Sequence, residues 1–81
     1  MQKAEASFSM LAMSIASSAL MAMGLSPNEN NKTEVDRHLA RFNIDLLLML
    51  KEKTKANLTD EEKNFLEHVI QDLQMKFVQL K

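Results

Sequence analysis

The sequence predicts an all-α fold of three helices, and three observations carry that expectation. Apolar residues recur at steps of three and four along most of the 81 residues. One Gly, one Pro and four aromatic residues leave little turn or strand chemistry for a β fold. Capping residues then divide the chain into helices over about 6–23, 34–55 and 60–80, within one small domain spanning 1–81.

The first helix is expected from Ala6 to Met23, closed by Gly24 as a left-handed terminator and by Ser26-Pro27 beyond it. No charged residue stands between Glu5 and Glu29, yet ten of the 18 residues from Ala6 to Met23 are Ala or Ser. From Phe8 to Met23 a helix spans about 24 Å, short of the roughly 30 Å hydrocarbon thickness of a bilayer. A secretory signal matches Lys3 and the Ala22-Met23-Gly24 end but not Glu5 and the five serines. The sequence therefore argues for a packed helix rather than a membrane anchor. Phe8, Leu11 and Ile15 share one face, and Met10, Met13, Leu20 and Met21 lie nearly opposite. Between them Ser9, Ala12, Ala16 and Ala19 form a small-residue stripe, which lets another helix approach closely.

Asn28 to Lys32 reads as a polar linker. Thr33 with Asp36 resembles a capping box, with Asp in place of Glu, and is expected to open the second helix. Val35, Leu39, Phe42, Leu46 and Met49 form its main apolar stripe, and the helix is expected to stop near Ala56-Asn57. Ile44 and Leu48 project from the other side, among Arg37, Arg41 and Lys55. Thr59 with Glu62 is a standard capping box for the third helix, on which Leu66, Ile70, Leu73, Phe77 and Leu80 repeat at helical steps. Lys51, Lys53 and Lys55 near the end of the second helix, and Asp60, Glu61 and Glu62 at the start of the third, suit the two helix dipoles. The connection of about four residues makes these two helices an antiparallel hairpin, with the main stripe turned toward the third helix.

A chain this short buries only roughly 60% of its unfolded surface and needs further support. With no cysteine, disulfides and thiolate metal sites are excluded, which leaves oligomerisation. Both of the first two helices carry apolar residues on two sides. The sequence therefore predicts a homo-oligomeric bundle, by default a homodimer, in which a second copy of the chain covers Ser9, Met10, Ala12, Met13, Ala16, Ala19 and Leu20 of the first helix and Ile44 and Leu48 of the second.

Ten Lys and Arg against 11 Asp and Glu give no basic excess of the kind a nucleic-acid binder needs. His38 has Glu34 one turn before it and His68 has Asp72 one turn after it, a spacing that serves metal ligation or acid–base work. The same spacing describes ordinary surface pairs on helices. Glu-x-x-His, HExxH, a P-loop and a dinucleotide glycine fingerprint are all missing. No catalytic, cofactor or metal residue is assigned. Asp45, inside the apolar run, faces either solvent or a pairing partner such as Arg41 at a subunit contact.

Ile44-Asp45-Leu46-Leu47, Met49-Leu50-Lys51-Glu52-Lys53-Thr54-Lys55, Asn57-Leu58-Thr59 and Glu61-Glu62 make a long central motif, joined by Asp72-Leu73 and the early apolar helix ending in Gly24. On these residues the chain resembles a family of short bacterial proteins, domain of unknown function 1844, from Phe8 to the C-terminus. That family commonly has Gly before Asn-Leu-Thr, where this chain has Ala56. A left-handed alanine is strained, so Asn57 is expected to take that conformation or the turn to be rebuilt. The resemblance implies a soluble, all-helical bacterial protein with no established activity and no functional residues to transfer. The expected function is that of a non-enzymatic, cytoplasmic, oligomerising protein–protein interaction module. The rival readings are a membrane-associated protein held by the first helix and a small metal or catalytic protein with a site at a subunit interface.

Overall fold

The computed structural model describes residues 7–27 and 30–80. The expected helix start at Ala6, the flanking Lys3 and Glu5, and Asn28 and Glu29 of the linker lie outside the described residues. The rest is all-α: helices α1 (Phe8–Ala22), α2 (Arg37–Lys53) and α3 (Asp60–Val78), with no strand among the described residues beyond an isolated bridge between Met23 and Val35.

Helix α1 opens on Ser7, whose side chain accepts the backbone N–H of Met10 at 3.1 Å. Its far end is a Schellman closure. Leu25 N–H donates to the Leu20 carbonyl and Gly24 N–H to the Met21 carbonyl, both at 3.0 Å. Gly24 sits at φ 75°, a conformation that glycine adopts without the clash a Cβ brings.

Asp36, not Thr33, caps α2: its carboxylate accepts the Leu39 N–H at 3.0 Å. The helix thus begins three residues later than the sequence suggested. The cause lies in the neighbouring chain end, because Asp36 N–H donates to the Ala22 carbonyl at 2.6 Å and Val35 bridges Met23. These contacts hold residues 35 and 36 extended and satisfy a carbonyl that the end of α1 leaves open.

At the other end of α2 the Thr54 hydroxyl donates to the Leu50 carbonyl at 2.6 Å, and Asn57 N–H donates to the Thr54 carbonyl at 2.9 Å. That tight turn puts Ala56 itself at φ 70°, so the expected transfer of the left-handed position to Asn57 does not occur. Helix α3 starts as expected. The Thr59 side chain accepts the Glu62 N–H at 3.1 Å while the Glu62 carboxylate accepts the Thr59 N–H at 2.9 Å.

Helix α1 packs most extensively on α2, and α3 touches both. The core is built from Ala12, Ala16, Ala19 and Ala22 of α1, Ala40, Ile44 and Leu47 of α2, and Leu66, Ile70 and Leu73 of α3. Alanines on both sides of the α1–α2 contact keep the backbones close, and the leucines of α2 and α3 fill the remaining space. Each fully buried leucine contributes about 1.5–3 kcal/mol by the transfer scale. The result is a flat body of 36 × 35 × 16 Å.

Candidate interaction surface

Two faces expected to meet a second copy are used inside the chain instead. Ala12, Ala16 and Ala19 form the buried side of α1, with Ala19 at 0% exposure. The small-residue stripe does allow a close helix approach, but the helices it meets belong to the same chain. Ile44 follows it inside at 5% exposure, next to Ala40 and Leu47 on the core side of α2. These four residues are therefore reassigned from the expected oligomer interface to the core. Leu20 is half-buried against that core and Ser9 is half-buried as well. Met10, Met13 and Leu48 remain exposed.

The opposite exchange affects the main stripe of α2. Leu39, Phe42 and Met49, expected to face α3, are 46%, 57% and 48% exposed, and Val35 is exposed beside them. Leu46 is half-buried. The side of α2 that faces the core carries Ala40, Asn43, Ile44 and Leu47, and two of these carry little hydrophobic signal. Asn43 is buried because its amide has a partner: Nδ2 donates to the Leu39 carbonyl one turn back at 2.9 Å. Sequence periodicity weighted the bulkier stripe and missed the inner one. A signal was present, since an alanine-lined α1 needs a partner face that also has a small residue at its centre, and Ala40 is that residue.

The exposed stripe adjoins the outer side of α1. Met21 and Leu39 line one shallow hollow where α1 ends and α2 begins, and Met21 also shares a second hollow with Met10, Met13 and Ser17. Apolar surface thus continues from one helix to the other. Contiguous patches of this kind on small proteins mark interaction sites.

A third hollow of about 630 Å³ lies where the α2–α3 turn folds back. Leu48, Leu58 and Leu66 give it an apolar floor, while Lys51, Lys55 and Lys63 alternate around it with Glu52, Asp60 and Glu67. The opposing charges cancel, so the rim selects neither anion nor cation. Lys51 and Glu67 stand 4.0 Å apart across it, a partly exposed pair of small energetic weight.

The two histidine pairs do not assemble. His68 Nδ1 donates to the Asn64 carbonyl at 2.9 Å, and Asp72 instead accepts from Lys76 Nζ at 2.7 Å. His38 and Glu34 are exposed. Among the described residues no group of three or more His, Asp or Glu is placed to hold a metal ion. Nor is any helix among them long and apolar enough to cross a membrane.

The family model described as Domain of unknown function (DUF1844) matches residues 5–79, nearly the whole chain. The chain belongs to this family. No curated protein and no solved structure matches it. The DUF1844 residues from Ile44 to Glu62 that signalled the resemblance comprise the second half of α2, the turn at Ala56 and the capping box of α3. In this DUF1844 chain the motif therefore does two jobs in the fold: it supplies core residues Ile44 and Leu47, and it builds the hairpin that returns α3 alongside α2.

Proposed function

We propose that this DUF1844 protein is a non-enzymatic, cytoplasmic interaction module that works as a homo-oligomer. The observation that carries the reading is the exposed stripe of Leu39, Phe42 and Met49 on α2, with Val35 exposed in the extended segment just before it. Isolated apolar residues on a surface are ordinary. A row of large ones at helical spacing, continued by the methionines of α1, is the kind of surface that another protein covers. Folding and association are coupled in this reading, so thermal stability rises with protein concentration.

Sedimentation equilibrium at micromolar concentration tests it. The wild-type chain is expected to sediment as a dimer or larger species, and Phe42→Glu as a monomer with a lower melting temperature that no longer depends on concentration. A folded wild-type monomer whose melting temperature does not change with concentration would overturn the proposal.

A further inference from the structure

We draw no further inference here: the strongest candidate, the exposed apolar surface patch of Leu39, Phe42 and Met49 on α2 with Met10 and Met13 on α1, carries nothing beyond the function proposed above, because nothing in the structure shows what covers it.

Discussion

The backbone N–H of Asp36 donates to the carbonyl of Ala22 at 2.6 Å, which ties the start of α2 to the end of α1 across the intervening segment. The same residue caps its own helix with its carboxylate. One position thus fixes both where α2 begins and how it is set against α1. Gly24 makes this approach feasible, since it turns the chain immediately after α1.

Gly24→Ala should be costly for two independent reasons. A left-handed alanine costs about 1–2 kcal/mol, and the new Cβ would lie 2.9 Å from Val35 Cγ2. The loss should appear as a lower urea midpoint at unchanged m-value. A variant as stable as wild type would show that the segment after α1 relaxes freely.

Ala56→Gly should act in the opposite direction. Ala56 already holds φ 70°, so glycine removes strain of about 1 kcal/mol, less its greater unfolded-state freedom. The net gain is a few tenths of a kcal/mol, which for a domain of this size raises the melting temperature by about 1–4 °C. Calorimetry showing a decrease would mean that the left-handed turn at this position is not occupied in solution.

The assignment of the α1 small-residue face is tested by two leucines. Ala19→Leu inserts bulk where the native residue has no exposure, and overpacking should cost about 1–3 kcal/mol. Ser17→Leu, on the exposed side of α1, should change stability by less than about 0.5 kcal/mol. If the two variants unfold at equal denaturant concentration, the orientation of α1 is wrong.

Thr59→Ala removes half of the reciprocal cap on α3. Such caps contribute about 0.5–2 kcal/mol. Because the cap is local, hydrogen exchange should accelerate first in the opening turn of α3, with Leu66 to Leu73 less affected. Uniform acceleration along the whole helix would instead indicate that α3 unfolds as one unit.

Much of the architecture was legible in the residues. Gly24, the Thr59–Glu62 box and the repeat from Leu66 to Leu73 mark local chemistry that tertiary packing left in place. The start of α2 was misread at Thr33 because the tie from Asp36 to Ala22 is a contact between distant parts of the chain, and no local motif announces it. The two faces of α2 were exchanged for a different reason. Periodicity ranks stripes by apolar bulk, but a helix packing on alanines selects the side that fits closely. Ala40 and Asn43 therefore turned inward while Phe42 turned out. Part of the expected interface moved with them: Ile44 and the α1 alanines became core, while Met10, Met13 and Leu48 stayed on the surface.

The distribution of methionines gives the chain built-in reporters. Met49 on α2 and Met75 on α3 are comparably accessible, whereas Met23 is enclosed. Peroxide converts accessible thioethers to sulfoxides, which are polar and ill suited to an apolar contact. Mass spectrometry of a brief oxidation pulse should therefore find Met23 spared and Met75 modified at every dilution. If self-association covers the α2 stripe as proposed above, Met49 should become reactive only on dilution, and its sulfoxide would then weaken that contact.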